Sequence, residues 1–445
     1  MCFGWVCAAF IACIFVREDS LFLLPSQLSH CPGYDSVFAW STNECLGALS
    51  ALKGWLGIMF TKVRPVGNLV PKPLPVKRLE LPWEHHYLTV FTQSGTASLS
   101  LAVKAAIADR PEVKLPEVIV PAYGCPDLVS AIVAQKARPI AVDFSVGSPE
   151  LDTELLKQAI GSQTIAVVAV DFLGAHERLP VLKEVCTSAG ITLIEDSAQC
   201  FPPMSAQEAC AEMVVLSFGR GKPINLMGGG ALLVRLDKKR NVEKILTEYP
   251  TDTLRLGFGW HLKRCFFNLL MSRYLFPIVE RVPFLGIGET RYRRLNGIRL
   301  LRLPSRLLAG GLRAHALRPS VASTLDRELR FIETKGWELL KAPRGSRLRY
   351  AILAPNKEAR DLAIKDLNRV GIGANALYGR TLPNIVKSSG IHLTEIGEYP
   401  NATNFSERLL TLPTHDGVKA EDIENIVSTL RIICGHPKHC RSTNG

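Results

Sequence analysis

Two charged residues that follow apolar runs of strand length are the first candidates for chemistry in this sequence. Asp196 comes directly after the run Ile191–Glu195, and Lys222 lies five residues beyond the run Met213–Ser217. A buried carboxylate is stable only beside a cation or several hydrogen-bond donors. A lysine amine can hold an aldehyde covalently when desolvation or a nearby cation lowers its pKa. Either residue alone also fits a structural role, as a helix-capping carboxylate or a solvated lysine.

The motif Ser94-Gly95-Thr96 is a third candidate because it precedes the predicted helix Ala97–Ala108. Hydroxyls and free backbone N–H groups at a helix N-terminus bind anions, although a plain N-cap fits the same residues. The run Gly228-Gly229-Gly230 would let the backbone approach a ligand closely. Together with Asp196 and Lys222, this motif matches pyridoxal phosphate, which requires a phosphate cradle, an acid for its ring nitrogen and a lysine for its aldehyde.

The segments around these sites alternate between strand-length apolar runs and helical stretches. Predicted strands are Glu117–Pro121, Pro139–Asp143, Ile165–Val170, Ile191–Glu195, Met213–Ser217 and Ala231–Arg235. Predicted helices are Ala97–Ala108, Pro126–Gln135, Asp152–Ile160 and Leu179–Ala189. Continuous Val/Ile runs indicate strands buried on both faces, and the alternation predicts an α/β protein with a mostly parallel sheet between helices. Ligands bind such sheets beyond the carboxyl ends of the strands, where the candidate residues fall.

The pattern predicts four parts in the chain. Residues 59–245 form the large ligand-binding domain, 246–340 are a helix-rich, basic segment, and 341–445 form a smaller αβ domain. In that smaller domain Leu348–Leu353 is a predicted strand, and Lys357–Val370 and Ala420–Ile433 are predicted helices. Residues 1–58 are an atypical extension, apolar and rich in cysteine.

Three interpretations of the extension remain open: a membrane-anchoring leader, a loosely packed extension, or a start codon assigned too early, with Met59 as the true start. Met1–Val16 is almost wholly apolar, but it lacks the positive region of a signal peptide and is short for a membrane span. The apolar stretch Cys265–Gly288 is interrupted by charges and suits a buried or interfacial helix better than a span. Membrane association is therefore an alternative that the sequence does not favour.

The formal net charge is +12, and the segment Arg291–Arg318 holds eight arginines and no acid. This segment fits a solvated basic face or a docking surface for a nucleotide diphosphate or an anionic lipid surface. A nucleic-acid role is not expected, because stacking aromatics are not interleaved with the arginines. The twelve cysteines are scattered, which predicts reduced thiols in a cytoplasmic protein. No metal site is expected, since the zinc-ligand types Cys434, His436, His439 and Cys440 lie close together in a short tail.

From about Pro82 to Ile433 the sequence resembles the DegT/StrS family of sugar aminotransferases. The matching segments are Ser94–Ala97, Glu117–Tyr123, Val142-Asp143, Asp171–Gly174, Glu195–Gln199, Ser217–Ala231 and Glu407–His415. The spacing of 26 residues between Asp196 and Lys222 is quite specific. The resemblance implies fold type I of the pyridoxal-phosphate enzymes, an α/β fold with a large domain, a mostly parallel seven-stranded-type sheet and a smaller C-terminal αβ domain.

The resemblance also implies roles for individual residues. Lys222 and Asp196 are the catalytic candidates: Lys222 holds the cofactor and transfers protons, and Asp196 keeps the pyridine nitrogen protonated. Gly95, Thr96 and Ser217 hold the phosphate, Gln199 lies near the phenolic oxygen, and Tyr123 is the aromatic candidate for stacking on the ring. The predicted cofactor-binding residues are Ser94, Gly95, Thr96, Tyr123, Asp196, Gln199, Ser217 and Lys222.

The sequence departs from the family at Cys125, in the loop between Lys222 and Ala231, which is one residue short, and in the stretch 245–345. Cys125 stands where the family often has an aromatic residue, and the stretch 245–345 has diverged, with Asn296 as the candidate for a phosphate ligand supplied by a partner subunit. The implied activity is transfer of an amino group, from L-glutamate, to a nucleotide-linked keto-sugar in polysaccharide, glycolipid or natural-product synthesis. The implied assembly is a homodimer with shared active sites. The alternative is a catalytically decayed protein of the same fold that binds or regulates.

Overall fold

The computed structural model describes residues 61–282, 288–340, 347–391, 393–395 and 397–435. The extension 1–58, with the three interpretations that it leaves open, lies outside the described residues. The same holds for His436, His439 and Cys440 of the C-terminal tail.

The described chain contains thirteen strands. They are β1 (Tyr87–Thr92), β2 (Glu117–Pro121), β3 (Arg138–Val142), β4 (Thr164–Val170), β5 (Thr192–Asp196), β6 (Met213–Ser217), β7 (Gly230–Arg235), β8 (Thr251–Thr253), β9 (Leu300–Arg302), β10 (Glu338–Leu339), β11 (Arg349–Leu353), β12 (Thr394–Glu395) and β13 (Leu409–Pro413). Ten of these described strands form one sheet in the order β12-β3-β2-β4-β5-β6-β7-β1-β9-β8, and β10-β11-β13 form a second sheet.

Fourteen α-helices accompany these strands in the described ranges. They are α1 (Gly95–Asp109), α2 (Asp127–Ala134), α3 (Thr153–Ala159), α4 (Leu179–Ala189), α5 (Ser205–Glu208), α6 (Lys239–Leu246), α7 (Phe258–Leu270), α8 (Phe276–Glu280), α9 (Ser305–Ala316), α10 (Val321–Glu328), α11 (Lys357–Arg369), α12 (Leu382–Lys387), α13 (Pro400–Arg408) and α14 (Ala420–Gly435).

The large sheet is mostly parallel, as the sequence predicts. Strands β12, β3, β2, β4, β5 and β6 pair in parallel, and antiparallel pairing begins at β7, which lies between β6 and β1. The predicted strands Glu117–Pro121 and Met213–Ser217 are confirmed at both ends. The sequence pattern did not reveal β1, because Thr89 and Thr92 divide its apolar residues into pairs, which give neither an unbroken apolar run nor a strict alternation.

Helices cover both faces of the large sheet, so its central strands are buried on both sides. In β5, Leu193 faces one apolar cluster and Ile194 faces the other. Alternate residues of β4 divide between the same two clusters, since Val167 lies in one and Val168 in the other. This burial explains the unbroken apolar runs, because a strand between two helical layers has no solvent face that requires polar residues.

The C-terminal part contributes to both sheets. Its three-stranded sheet packs with α11 and α14 around a separate apolar cluster that includes Tyr350, Leu367 and Leu430. In contrast, β12 pairs with β3 of the large sheet, and Leu382 of α12 and Phe405 of α13 lie in the large core. Residues of the C-terminal part thus belong to the large sheet and to the large core. The borders of the four parts remain predictions.

The apolar stretch around Cys265 forms α7 and α8, which pack through Phe267, Leu270 and Phe276 against Val70 near the start of the described chain. No helix within the described ranges combines the length and apolar character needed to cross a membrane.

Candidate active site

A cavity lies at the carboxyl ends of the central strands β4, β5 and β6, where the sequence places the candidate site. Its lining residues are Gly95, Thr96, Leu99, Cys125, Asp127, Leu128, Val170, Asp196, Ala198, Gln199, Val215, Ser217 and Lys222. Six of the eight predicted cofactor-binding residues are among them. Ser94 adjoins the cavity as the N-cap of α1, whereas Tyr123 lies behind its wall.

The start of α1 forms a tight cradle against the end of β6. Ser94 caps the helix by accepting a hydrogen bond from the Ala97 amide at 3.2 Å, so the residues that follow present their N–H groups at the helix N-terminus. A Cβ atom on Gly95 would lie 2.7 Å from the Cβ atom of Ser217. Only a residue without a side chain fits there, and the cradle supplies donors for an anionic group.

A carboxylate that sequence reasoning missed also lines this end of the cavity. The Thr96 hydroxyl donates a hydrogen bond to Oδ2 of Asp127, the first residue of α2, at 3.1 Å. Thr96 is therefore held by a neighbouring helix. No sequence motif marks Asp127, because it approaches Thr96 only when α1 and α2 pack side by side.

Asp196 ends β5 and is held from two sides. Its Oδ1 accepts a hydrogen bond from the Ala198 amide at 3.0 Å, and its backbone carbonyl accepts one from the Asp171 amide at 3.0 Å. Burial raises the pKa of Asp196 to about 6, while the Ala198 amide and the charge of Lys222 act in the opposite direction. A carboxylate in this position is stabilised by a cation, and a protonated ring nitrogen supplies one.

Lys222 reaches the cavity from a loop that the N-terminal segment supports. Asn68 donates to the backbone carbonyl oxygens of Lys222 at 3.5 Å and of Pro223 at 3.3 Å. Gly221 adopts the left-handed region with φ +73, which a glycine accommodates without strain. The Asn68 side chain therefore holds the loop at Lys222 and Pro223. The amine of Lys222 lies in the same cavity as Asp196.

Gln199 links the cavity to the C-terminal part of the chain. Its Nε2 donates to the hydroxyl of Tyr378 at 2.6 Å, and its Oε1 is buried without a hydrogen-bond partner among the described residues. A buried acceptor without a partner is unfavourable unless a ligand satisfies it. Tyr378 was not singled out from the sequence, because it lies 179 residues from Gln199.

Tyr123, the predicted stacking residue, is fully enclosed by other aromatic rings. Its ring centroid lies 5.3 Å from that of Phe405, 5.4 Å from that of Tyr378 and 5.7 Å from that of Phe172. Cys125, two residues on, faces the cavity instead, and burial raises the pKa of its thiol well above the usual range. The turn thus presents a thiol to the cavity and an aromatic ring to the core, so the stacking role of Tyr123 stays a prediction.

The residues present fit pyridoxal phosphate. The cradle at Gly95 and Ser217 would hold the phosphate, Asp196 would face the ring nitrogen, and Lys222 would reach the aldehyde. The unpartnered Gln199 Oε1 leaves this side chain available for a ligand group. Asn296 is exposed and does not line the cavity of its own chain.

The sequence profile of the DegT/DnrJ/EryC1/StrS aminotransferase family matches residues 83–255 and 311–431. The chain belongs to this family. The resemblance noted from the sequence is thereby confirmed, and the matched ranges include all eight predicted site residues. Residues 256–310, which contain α7, α8 and most of the arginine-rich segment Arg291–Arg318, lie between the two matched ranges.

Relatives in the DegT/DnrJ/EryC1/StrS family include two curated enzymes. A UDP-2-acetamido-2-deoxy-3-oxo-D-glucuronate aminotransferase of Pseudomonas aeruginosa is 29% identical over 172 residues, which cover 37% of this chain and 46% of that enzyme. A GDP-perosamine synthase of Vibrio cholerae is 32% identical over 114 residues, which cover 26% of this chain and 29% of that enzyme. The matches thus span less than half of either enzyme.

The fold is shared with solved structures of the family. A putative sugar aminotransferase from Streptococcus pneumoniae, solved in its PLP form, aligns with a TM-score of 0.60 and 19% identity over 82% of this chain and 98% of that one. This likeness confirms the predicted fold class of the pyridoxal-phosphate aminotransferases.

Proposed function

We propose that the protein is a pyridoxal-phosphate-dependent aminotransferase that transfers an amino group from an amino-acid donor, L-glutamate, to a nucleotide-linked keto-sugar. The family profile covers all eight predicted site residues, and the names of two relatives refer to sugar nucleotides. We extend the proposal to synthesis of a polysaccharide, glycolipid or natural product, and to a cytoplasmic homodimer in which each chain completes the site of the other.

The observation that carries this proposal is the presence of Asp196 and Lys222 in one cavity beside an anion cradle. An acid, an amine and a helix N-terminus are the three groups that the cofactor requires. If Lys222 or Asp196 had only a structural role, that role would not explain why an acid, an amine and a helix N-terminus meet in one cavity. The juxtaposition therefore favours an enzyme over a decayed relative that retains only the fold.

When bound, the cofactor supplies an electron sink that weakens the bond between the substrate carbon and its proton. Asp196, as a carboxylate, would accept a hydrogen bond from the protonated ring nitrogen and so keep it protonated. The Nζ atom of Lys222, when free, would take the proton from the substrate carbon that bears the amino group and would deliver it to the carbon of the former aldehyde. The donors at the start of α1 would hold the phosphate, so that the substrate lies within reach of Lys222 in one orientation. The Tyr378 hydroxyl orients the Gln199 amide that faces the cavity.

Absorption spectroscopy of the full chain, reconstituted with pyridoxal phosphate, tests the proposal. We expect a visible band from the lysine-bound cofactor, which L-glutamate bleaches as the amino group is transferred. Lys222→Ala should not form the normal band, whereas Lys157→Ala, which changes an exposed lysine on α3, should behave like the wild type. A wild-type band that no amino-acid donor bleaches would favour the decayed binding protein.

The amino donor and the sugar need separate tests. Some relatives are named for L-glutamine, so the bleaching rate should be compared for L-glutamate and L-glutamine. The aminated protein should then be mixed with UDP- and GDP-linked keto-sugars, and return of the visible band would identify the acceptor. If a keto acid restores the band but none of the tested UDP- and GDP-linked keto-sugars does, the result would contradict the proposed class of acceptor.

A further inference from the structure

A mixed cluster of an acid, an imidazole and a thiol lies beneath the cavity. Asp171 follows β4, and Cys200 lies four residues beyond the end of β5. Nδ1 of His176 is 3.1 Å from Oδ2 of Asp171 and 3.6 Å from Sγ of Cys200. One ligand atom from each of the three residues lies within 4.8 Å of the other two. None of these three side chains lines the cavity.

These separations match those between ligands of one tetrahedral metal ion. Bonds of about 2.0 Å to nitrogen, about 2.1 Å to oxygen and about 2.3 Å to sulfur place nitrogen and oxygen roughly 3.3 Å apart, and nitrogen and sulfur roughly 3.5 Å apart. The observed 3.1 Å and 3.6 Å lie close to both values. An ion could therefore replace the proton between Asp171 and His176, and the Asp171 oxygen and the Cys200 sulfur, which lie within 4.8 Å of each other, would approach to roughly 3.6 Å.

The charge around the cluster also favours a cation. The Asp171 side chain is completely buried, and so is the neighbouring Glu195. The Ser197 hydroxyl contacts both carboxylates but has one proton, so it can donate to only one of them. No lysine or arginine of the described chain forms an ion pair with either acid, and the imidazole of His176 is the cation candidate beside Asp171. A divalent ion would supply positive charge that no described lysine or arginine supplies to these two acids.

The thiol of Cys200 is buried beside the imidazole, since its Sγ lies 3.6 Å from Nδ1 and 3.8 Å from Nε2 of His176. A coordinating divalent ion would remove the thiol proton, because a metal-bound thiol is deprotonated. The His176 side chain is 23% exposed, so the cluster is not closed off from solvent.

We propose that Asp171, His176 and Cys200 bind one divalent transition-metal ion, and that zinc is the physiological ion. Mixed thiolate, imidazole and carboxylate ligands in tetrahedral array favour zinc over magnesium or calcium. The ion would join the ends of β4 and β5. Because the Asp171 amide donates to the Asp196 carbonyl, the ion would also brace the strand end that carries Asp196. The proposal rests on this cluster alone and does not depend on the aminotransferase activity.

Titration with cobalt(II) tests the proposal, since cobalt(II) replaces zinc and absorbs light when bound to a thiolate. The full chain, stripped of metal by a chelator, should bind one cobalt(II) per chain and gain a thiolate charge-transfer band. Cys200→Ser should lose this band, and His176→Ala should bind at least tenfold more weakly. Zinc added to the cobalt(II)-loaded wild type should displace the cobalt(II) and remove the band.

Two matched controls separate this cluster from other cysteines. Cys210→Ser changes another buried cysteine, and Cys440→Ser removes a zinc-ligand type from the C-terminal tail. Both should keep the band and the stoichiometry. Loss of the band in Cys440→Ser but not in Cys200→Ser would show that the metal binds to the C-terminal tail, and would overturn the proposal.

The wild-type protein alone can also refute the site, whether or not the variants fold. A folded wild type that retains no stoichiometric zinc by elemental analysis and binds no cobalt(II) would overturn it. The visible band of the cofactor is recorded in the same samples. A normal cofactor band without metal would refute only the metal site, and metal without a cofactor band would refute only the proposed activity.

Discussion

The cavity at the ends of β4, β5 and β6 and the segment 256–310 differ in how closely their residues are constrained. At the cavity, each predicted residue has a specific neighbour: Gly95 has no room for a Cβ atom beside Ser217, and Asn68 holds the loop of Lys222. In the segment 256–310, which the family profile does not match, large apolar side chains face outward. The chemistry of the site restricts which residues can line the cavity. In the segment 256–310, packing restricts only the residues of the inner face.

Helix α7 shows this difference within a single element. Phe267 on its inner face is 3% exposed and packs near Val70, whereas Phe258 on its outer face is 84% exposed. Leu262 and Leu269 follow Phe258 at helical spacing and are 50% and 56% exposed. The outer stripe is apolar yet uncovered in the single chain. The comparison therefore separates residues that hold the fold from residues that are available for another surface.

The largest effect is expected at Lys222. Lys222→Ala removes the group that transfers protons, so the rate of amino-group transfer should fall by about 100- to 10,000-fold. Formation of the keto acid from L-glutamate in a single turnover measures this rate, because it can be followed in a variant that lacks the normal visible band. Lys157→Ala is the matched control, and a rate within twofold of wild type for Lys222→Ala would remove this residue from the mechanism.

The next effect concerns stability rather than chemistry. Phe267→Ala leaves a cavity on the inner face of α7, and we expect a loss of about 3–5 kcal/mol in the free energy of unfolding. Urea denaturation followed by circular dichroism gives the change. The spectrum of the bound cofactor should be unchanged in urea-free buffer, because the contacts of Phe267 do not include the cavity residues.

Gly95→Ala should weaken cofactor binding without removing a chemical group. The added Cβ atom would meet the Cβ and Oγ atoms of Ser217 at 2.7 Å and 2.9 Å. Overpacking of this kind costs about 1–3 kcal/mol, which corresponds to a loss of about 5- to 140-fold in affinity for pyridoxal phosphate. Fluorescence titration measures it. Gly161→Ala, where a Cβ atom meets nothing within 4 Å, should bind normally.

Cofactor binding should weaken in acid because of Asp196. The pKa of this carboxyl group is raised to about 6 in the unliganded protein, so a growing fraction is protonated as the pH falls below 6. The protonated acid does not attract a charged ring nitrogen. The charged fraction, and with it the affinity, should therefore fall by roughly fivefold between pH 6 and pH 5. Asp196→Asn should bind weakly with little change over this range; an equally steep fall in the variant would assign it to another group.

The smallest effect is expected on the outer face of α7. Phe258→Ala removes the same side chain as Phe267→Ala, but from an exposed position, and should change stability by no more than about 0.5 kcal/mol. The same urea experiment measures it. A loss that approaches the value for Phe267→Ala would mean that another surface covers this stripe in solution, and cross-linking would then show whether that surface is a second copy.

The sequence predicts the parallel half of the large sheet well because burial on both faces produces apolar runs that local patterns reveal. Strand β5 extends one residue further than predicted, through Asp196, since the backbone of Asp196 pairs with Val215 of β6. The short strand β12 has no such signal, because two residues carry no periodicity and its pairing with β3 depends on long-range packing.

The cavity could be predicted in part for a related reason. Residues that follow strands, such as Lys222, occupy positions that the topology fixes. Asp127 and Tyr378 could not be predicted, because each approaches the site only after helices or distant loops have packed. Tyr123 illustrates the opposite case: its place in the turn suggested a ligand contact, but the three-dimensional arrangement encloses it among rings as distant in sequence as Phe405.

The hydrogen bonds at the start of α13 have a consequence for dividing the protein. Asp143, at the end of β3, accepts hydrogen bonds from the amides of Asn401 and Ala402 at 2.9 Å and 2.8 Å. A fragment that stops before residue 347 would lose both donors, and the part of the large core that Leu382 and Phe405 cover would be exposed to water. Independent expression of the two halves should thus give insoluble products, whereas co-expression should permit fragment complementation. Natural fusions or circular permutations of this chain would be expected to keep both halves together.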